Sequence, residues 1–208
     1  MACFSNKDIS ELNHLYKINL INSCSGYKSA NLIGTKSING ISNVAIFSSV
    51  IHLGSEPALL GFILRPTTVA RNTYDNIKET GVYTINHVQQ AVIEDAHHTS
   101  AKYDSFISEF DMTSLEEDYL NHFQAPYVKN APVQIGMKYV EEYSIKENGT
   151  ILLIGEIQHL NINDHLLKED GFVNLVEANV VAINGLDGYV LPISQTRLAY
   201  QRPKNHPK

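Results

Sequence analysis

Hydrophobic and polar residues alternate with a period of two along much of the chain, which predicts β-strands joined by tight turns. Two Asn-Gly pairs interrupt this alternation, at Asn39-Gly40 and Asn148-Gly149. Asn-Gly tolerates the positive φ angles of a type I′ turn, so each pair predicts a β-hairpin. The four strands that the two turns would join are residues 30–37, 42–50, 137–146 and 151–160.

Between the two hairpins, the spacing of apolar residues changes from the period of two of a strand to that of short helices. Residues 73–80 predict a short helix, with Thr73 as its N-cap and Gly81 ending it in the left-handed conformation. A strand follows over residues 81–86, and residues 88–96 carry apolar positions at helical spacing. The sequence from Thr113 to Glu116 is a candidate capping box for another short helix. The remaining short apolar segments, interpreted as strands, are residues 171–176, 179–183, 189–192 and 198–200.

The pattern amounts to about eight strands, mostly hairpin-linked, with short helices inserted. It contains neither a βαβ alternation nor a Gly-x-Gly-x-x-Gly motif. This argues against a Rossmann domain and predicts a closed antiparallel barrel. The length predicts a single domain over residues 1–208, with a core of about 20–200 and flexible ends. The tail, residues 201–208, carries two prolines and three cations and is expected to be a loose end or an arm on a partner.

Composition and charge exclude several classes of function. A net charge of −6 argues against a nucleic acid partner. The first ten residues lack the apolar core of a signal peptide, and no window approaches the roughly 20 apolar residues of a membrane-spanning helix. Two cysteines provide neither a disulfide framework nor a zinc site, and adjacent histidines at 97 and 98 project apart on a helix, so no metal is expected. We therefore expect a cytoplasmic protein.

Residues 43–86 hold the strongest candidate chemistry. The first strand there ends in the Ser48-Ser49 pair, and the next strand leads to Arg65 ahead of the predicted helix. A phosphate monoester, with about −1.5 to −2 charges near neutral pH, binds guanidinium, hydroxyl and helix N-terminal N–H groups. Arg65, Thr68 and Thr73 could hold such a group, while the two serines could donate to the edge of a flat ligand. On these residues alone, a serine turn and a surface ion pair explain the pattern better than an anion site does.

Four ordered motifs in this region resemble the flavin-reductase-like family of FMN-binding split barrels. They are Asn43-x-Ala-Ile-Phe-Ser-Ser-Val-x-His-Leu-Gly-x-x-Pro57, Gly61-Phe-Ile-x-Arg-Pro66, Thr73-x-x-Asn-Ile77 and Gly81-x-Tyr-Thr-Ile-Asn86. Later segments resemble one subgroup of the family, namely Ala96-His-x-Thr-Ser-Ala-x-Tyr103, Ser108-Glu-Phe110, Gly185-Leu-Asp-x-Tyr189 and Arg197-Leu-x-Tyr200. The resemblance covers about residues 20–200, and the order and spacing of the motifs make it specific.

The resemblance implies a mainly β fold, a Greek-key antiparallel split barrel with short helices, and a homodimer that binds FMN near the subunit interface. It implies that the flavin ring is lined by Phe47, Ser48, Ser49 and Val50. The phosphate would be approached by Arg65, Pro66, Thr67 and Thr68, with Thr73 helping and Lys102 as a second cation. Asn86 would end the strand beside the site, which would be closed by His98, Ser100, Ala101, Lys102 and Tyr103, with His97 nearby.

The implied function is hydride transfer from NADH or NADPH to flavin. The cofactor performs the difficult step, so the protein needs neither a general base nor a nucleophile, and we assign no catalytic side chain. A second hypothesis is an FMN-binding module for electron transfer or sensing, without its own NAD(P)H activity. A third is a related barrel that uses flavin on another substrate, such as pyridoxamine phosphate, for which no specific feature is present. The choice of nicotinamide nucleotide and the electron acceptor stay open.

Overall fold

The computed structural model describes residues 1–203, so the last five residues of the predicted tail lie outside the described part. Four α-helices occur there, α1 (Asn6–Glu11), α2 (His14–Cys24), α3 (Asn72–Thr80) and α4 (Ile93–His98), with 3₁₀ turns at Gln90–Val92 and Asp164–Leu166. The strands are β1 (Lys28–Ser29), β2 (Asn31–Lys36), β3 (Ser42–Phe47), β4 (Ile51–Ser55), β5 (Ala58–Leu64), β6 (Val82–His87), β7 (Glu117–Asp118), β8 (Tyr127–Val128), β9 (Val133–Ile145), β10 (Thr150–Ile162), β11 (Ala182–Asn184) and β12 (Gly188–Val190).

Seven strands form one antiparallel sheet in the order β3-β2-β6-β9-β10-β5-β4. Four strands separate β3 from β5 in the sheet, yet the ring centroids of Phe47 on β3 and Phe62 on β5 are only 5.1 Å apart. The sheet is therefore strongly curled. The β9–β10 hairpin lies between β5 and β6, as in a Greek key. The edge strands β3 and β4 do not pair with each other. The fold is therefore a mainly β split barrel, as the resemblance implied, and the prediction of a closed barrel is wrong.

Both predicted hairpins are confirmed, as β2–β3 and β9–β10. Their turns differ from the predicted type I′ geometry, because the left-handed conformation is adopted by Gly40 (φ 87°) and Gly149 (φ 71°) and not by the preceding asparagines. In the first turn the N–H of Ser37 donates to the carbonyl of Ile41 at 2.8 Å, so the loop is longer than two residues. Glycine alone thus provides the positive φ angle that each turn requires.

The helix after β5 is confirmed as α3, and Gly81 ends it with a φ of 73°. Thr73 is not its N-cap. The helix begins one residue earlier, with Arg71 at the N-cap position and no side chain capping the first turn. Thr73 is buried instead, and its hydroxyl lies 3.1 Å from the side-chain amide of Asn43. The physical reason is that Thr73 lies on the helix face that packs against β2 and β3.

Other local predictions are corrected by tertiary contacts. The capping-box motif at Thr113–Glu116 starts no helix. The Thr113 hydroxyl donates to the carbonyl of Glu109 at 2.8 Å and the N–H of Ser114 donates to Asp95 at 3.2 Å. These two hydrogen bonds keep the segment in a loop conformation. The helical signal at 88–96 becomes a 3₁₀ turn followed by α4. Residues 171–176 make one bridge, from Val173 to Leu167, and residues 198–200 form no strand. The segments predicted at 179–183 and 189–192 appear as the short strands β11 and β12.

The interior of the barrel holds the main core, which is built from β2, β5, β6, β9 and β10. A second core covers the outer face of β2 and β3 and includes α4 and the β11–β12 hairpin. Within residues 1–203, no helix has the length and apolar content that crossing a membrane demands. Both cysteines are free and exposed. The main core residues are Ile33, Phe62, Leu64, Ile77, Tyr83, Ile85, Val133, Ile135, Met137, Ile151 and Leu153.

Candidate functional site

The segment from Ser48 to Val50 crosses between the two edges of the split barrel. The Ser49 hydroxyl accepts from the N–H of Ile63 at 3.0 Å and donates to the carbonyl of Ile63 at 3.1 Å. Strand β4 begins at Ile51, opposite Gly61, so it stops short of Ile63. Ser49 therefore takes the place of a strand partner at this point of β5. The Ser49 hydroxyl thus uses its hydrogen bonds within the protein, whereas the Ser48 hydroxyl makes no hydrogen bond to the described residues.

Phe47 ends β3 and packs its ring edge-on against Phe62 in the barrel interior, with an angle of 75° between the ring planes. The residues after it are half-buried, so the backbone of Ser48–Val50 lies where the barrel interior meets solvent. A flat ligand at this rim would contact backbone N–H groups on a segment that Ser49 and Phe47 hold in place. The structure thus brings the four predicted ring-lining residues to one rim of the barrel.

A loop between β5 and α3 begins and ends with an arginine. Arg65 is exposed and has no carboxylate partner among the described residues. Arg71 is half-buried, and its Nε donates to the carbonyl of Pro66 at 3.4 Å, while its terminal nitrogens make no hydrogen bond in the described part of the chain. Thr67 and Thr68 lie exposed on the loop between the two arginines. Because α3 also lacks a side-chain cap, this loop combines two guanidinium groups with free helix N–H groups.

The sequence interpretation missed Arg71. It placed the start of the helix at Thr73, whereas the arginine occupies the N-cap position itself. The signal that could have found it is the pair of arginines six residues apart around a Pro-Thr-Thr loop. Thr73, in contrast, turns its hydroxyl towards Asn43 and away from that loop, so a direct phosphate contact by Thr73 stays a prediction.

The predicted closing segment follows α4, which packs on β3. His98 lies at the end of that helix, with its Nε2 2.6 Å from the hydroxyl of Tyr103. The neighbouring His97 places Nδ1 3.1 Å from the hydroxyl of Tyr189 on β12. Residues 100–102 are exposed, and Lys102 has no carboxylate partner among the described residues. The structure therefore brings His98 and Tyr103 together, and Lys102, which lies between them in the sequence, has no ion pair within the described part of the chain.

Asn86 is fully buried and makes hydrogen bonds through both atoms of its amide. Its nitrogen donates to the carbonyl of Leu32 at 3.1 Å and to the hydroxyl of Thr84 at 2.9 Å, and its oxygen accepts from the N–H of Val128 at 3.0 Å. The side chain braces β2, β6 and β8. Its predicted contact with a cofactor stays a prediction, because any such contact would compete with these bonds.

Two polar residues at the same rim, Asn31 and His87, were not among the predicted site residues. Asn31 pairs directly with Phe47 on one side and with His87 on the other, so the three side chains share a face of the sheet. Burial lowers the pKa of His87 to about 4, which keeps its imidazole neutral at physiological pH. The sequence offered only a weak signal, since an Asn beginning an apolar strand and a His ending one are both common.

The chain matches the family described as flavin reductase like domain over residues 28–183. It belongs to this family. A solved structure from Shewanella frigidimarina NCIMB 400, provisionally described as a flavin reductase with a split barrel domain, is 45% identical and covers 97% of this chain and 100% of its own, with a TM-score of 0.93.

More distant structures share the fold with this flavin reductase-like protein. Nitrilotriacetate monooxygenase component B from Bacillus cereus is 17% identical, with 95% of this chain and 98% of its own covered and a TM-score of 0.82. An FMN-binding protein from Thermus thermophilus, solved with bound 1-cyclohex-2-enone, is 14% identical, with 85% and 93% covered and a TM-score of 0.70. At these identities the two comparisons show the split-barrel fold alone.

The residues of the flavin reductase-like protein suit a flavin nucleotide. Two guanidinium groups that form no ion pair within residues 1–203 lie beside an uncapped helix and match a phosphate, which is notable in a chain with a net charge of −6. The half-buried rim at Ser48–Val50 carries backbone N–H groups and the Ser48 hydroxyl, which makes no hydrogen bond in the described part of the chain. The described residues contain no group of three His, Cys, Asp or Glu side chains able to hold a metal ion.

Proposed function

We propose that this protein is an FMN-binding oxidoreductase that transfers hydride from NADH or NADPH to flavin. The observation that carries the proposal is the pair of arginines, Arg65 and Arg71, at the two ends of the loop that leads into the uncapped α3 helix, neither of which forms an ion pair with a residue in the described part of the chain. Family membership supports the flavin. The donor, the acceptor and the residue roles below are part of the proposal.

The FMN phosphate would bind at the β5–α3 loop. Arg65 and Arg71 would each donate charge-assisted hydrogen bonds, and the free N–H groups of the first turn of α3 would add the positive end of the helix dipole. The hydroxyls of Thr67 and Thr68 lie on the same loop and would complete the set of donors. Lys102, from the segment after α4, would be a further cation near this end of the ligand.

The flavin ring would lie against the rim formed by Phe47–Val50. When bound, FMN supplies the ring that accepts hydride, so the protein has to position the ring and exclude water. The Ser49 hydroxyl holds the segment against Ile63, which keeps the backbone N–H groups fixed while they donate to the ring edge. His98 and Tyr103, which contact each other at 2.6 Å, would cover the site from the side of α4.

We further propose that the active form is a homodimer. The helix α2 buries none of its residues in one chain, and Leu15 and Tyr16 on it are 69% and 54% exposed. At the other end of the chain, Ile193, Leu198 and Tyr200 are between 82% and 91% exposed. Apolar side chains in such numbers are typical of an interface between proteins. A second subunit would cover both segments, and light scattering at twice 23.2 kDa would support this.

The decisive experiment is anaerobic reduction of the purified protein loaded with FMN. NADH or NADPH should bleach the visible flavin absorption at a rate that saturates with nucleotide concentration. If dithionite bleaches the flavin while neither nucleotide does, the protein binds FMN without being a nicotinamide-dependent reductase. That outcome would favour the second candidate, an electron-transfer or sensing module. Two observations support this candidate: the sequence has no Gly-x-Gly-x-x-Gly motif, and the fold is shared with the Thermus FMN-binding protein.

A further inference from the structure

A buried carboxylate lies against the edge strand β3. Glu109 is only 5% exposed and forms no ion pair with any residue between 1 and 203. Burial raises the pKa of this carboxyl group, while hydrogen bonds from the backbone N–H groups of Glu109 itself and of Val44 lower it. A carboxylate in such a place is costly unless its oxygens are hydrogen-bonded, so its partners show what it does.

Strand β3 provides the first of these partners. The N–H of Val44 points away from β2 and donates to Oε2 of Glu109 at 3.1 Å, so the carboxylate takes the place of a neighbouring strand. Two residues earlier, the hydroxyl of Ser42 lies 3.1 Å from that of Ser108. Ser108 and Glu109 thus fasten to β3 the chain that follows the closing segment, which comprises residues 98–103.

Asn43 connects the same carboxylate to helix α3. With its amide nitrogen towards Glu109, Asn43 donates to Oε2 at 3.3 Å, and its amide oxygen accepts from the hydroxyl of Thr73 at 3.1 Å. The opposite orientation would set the amide oxygen against an ionised carboxylate, which can only accept. Glu109 therefore fixes the orientation of the amide, and the amide in turn accepts the proton of Thr73.

The end of α3 that Thr73 fastens is the proposed phosphate site. Thr73 is the second residue of the helix, whose first turn has no side-chain cap. A hydroxyl that donates to Asn43 does not have the same proton available for a phosphate. The geometry therefore favours a role for Thr73 in placing the first turn, whose backbone N–H groups remain available to a ligand.

We infer that Glu109, acting through Asn43 and Thr73, fixes the first turn of α3 against β3 and so positions the helix N–H groups that bind the FMN phosphate. All three are positioning residues, since each acts on the ligand through the placement of the helix. The same carboxylate fastens the chain after the closing segment, so two sides of the site are fixed to one strand. The inference rests on the proposed function in one respect, that the phosphate binds at the start of α3.

A role in stability alone explains these contacts less well. The helix is already held against the sheet one turn further along, where Asn76 donates to the hydroxyl of Thr35 at 3.0 Å and Ile77 is fully buried in the main core. The additional connection lies at the first turn, beside the free N–H groups, and it includes a buried charge. A neutral side chain could satisfy the N–H of Val44 without the cost of burying that charge.

The test compares titrations of the full chain with FMN and with riboflavin, which lacks the phosphate. Asn43→Ala, Thr73→Val and Glu109→Ala should each weaken FMN binding by roughly fivefold, the size of one ordinary hydrogen bond, and leave riboflavin affinity unchanged. The double variant of Asn43→Ala with Thr73→Val should bind FMN no more weakly than Asn43→Ala alone, because both changes break one connection.

Two conservative changes guard against a loss of folding. Glu109→Gln keeps the volume and an acceptor for Val44, so it should bind FMN more tightly than Glu109→Ala. Thr73→Val keeps the shape of the side chain and removes only the hydroxyl. If Glu109→Ala does not fold, the two single variants at Asn43 and Thr73 and their double variant decide the question.

The matched control is Thr35→Val. It removes a buried threonine–asparagine hydrogen bond between the sheet and the same helix, one turn beyond Thr73. This substitution should lower the melting temperature and leave both affinities unchanged. Unchanged FMN affinity in Asn43→Ala and Thr73→Val, an equal loss of riboflavin affinity, or additive effects in the double variant would overturn the inference.

Amide hydrogen exchange in the FMN-free protein separates this inference from the proposed function. The N–H of Asp75 donates to the carbonyl of Arg71 at 2.9 Å and so reports on the first turn of α3. Its exchange should be roughly fivefold faster in Asn43→Ala than in the unchanged protein. An unchanged rate would rule out the connection whether or not FMN binds. If the rate rises as expected while the unchanged protein binds no FMN, the connection stands and the flavin proposal fails.

Discussion

The hydroxyl of Ser49 both accepts from the N–H of Ile63 and donates to its carbonyl, at 3.0 and 3.1 Å. One side chain thereby satisfies the two backbone groups that β4 leaves without a partner at this edge of β5. The ring contact that the resemblance implies for this residue stays a prediction, and the structure adds that its hydroxyl braces the crossing segment against β5. The hydroxyl of the neighbouring Ser48 makes no hydrogen bond to any described residue, and this difference leads to a direct experimental contrast.

We expect Ser49→Ala to reduce the free energy of unfolding by about 1–3 kcal/mol, because two half-buried backbone groups lose their partner. Ser48→Ala should leave the free energy of unfolding within about 0.5 kcal/mol of the original, as for a surface substitution, and should lower only FMN affinity. Urea unfolding of the FMN-free protein and FMN titration distinguish the two. Equal effects of the two substitutions on unfolding would contradict the assignment of Ser49 as the brace.

The two arginines of the β5–α3 loop should contribute to binding and little to stability. Arg65→Ala and Arg71→Ala should each weaken FMN binding by roughly 1.5–3 kcal/mol, as expected for hydrogen bonds to a charged group. Isothermal titration with FMN and with riboflavin, which lacks the phosphate, provides the measurement. Riboflavin affinity should be insensitive to both substitutions. Lys168→Ala is a suitable control, since Lys168 pairs with Glu177 at 2.9 Å on the surface. A loss of riboflavin affinity equal to that of FMN would rule out the phosphate contact.

The core contains a close pairing of Tyr83 with Gly155. The hydroxyl of Tyr83 occupies the space where a side chain on Gly155 would begin, and this hydroxyl is buried without a hydrogen-bond partner among residues 1–203. Gly155→Ala should therefore cost about 1–3 kcal/mol of stability through overpacking. Tyr83→Phe in the same chain should recover part of that loss, because it removes the nearest of the atoms that the new methyl group meets, while the ring carbon of residue 83 and the carbonyl oxygen of Lys138 remain close. Thermal or urea unfolding of the two single variants and the double variant measures this coupling, and strictly additive effects would refute it.

His87 should make stability depend on pH. Burial lowers its pKa from about 6.5 in the unfolded chain to about 4 in the fold. Between these values the unfolded chain binds a proton that the folded chain does not, so stability decreases as pH falls from about 6.5 to about 4, by at most about 1.4 kcal/mol per pH unit. In His87→Gln this part of the pH dependence should disappear. Urea unfolding at several pH values provides the measurement, with the exposed His14→Gln as control. An unchanged pH profile in His87→Gln would show that the fold does not lower the pKa of His87.

Short-range patterns in the sequence were sufficient for the hairpins and for α3. Asn39-Gly40, Asn148-Gly149 and Gly81 act locally, since a positive φ angle is a property of the residue and its neighbours. The family motifs likewise identified the flavin reductase-like split barrel, because their order along the chain is specific. They also indicated the rim at Phe47–Val50 and the loop after Arg65 as the candidate site.

The tertiary structure decided the features that depend on which residues meet across strands. The helix begins after Arg71 and not at Thr73, because packing against β2 and β3 buries the threonine. The barrel is split, because β3 and β4 diverge at Ser48–Val50 and a serine hydroxyl takes the place of strand pairing. The alignment of Asn31 with His87 is a matter of strand register between segments more than fifty residues apart, and a local pattern carries no information on that register.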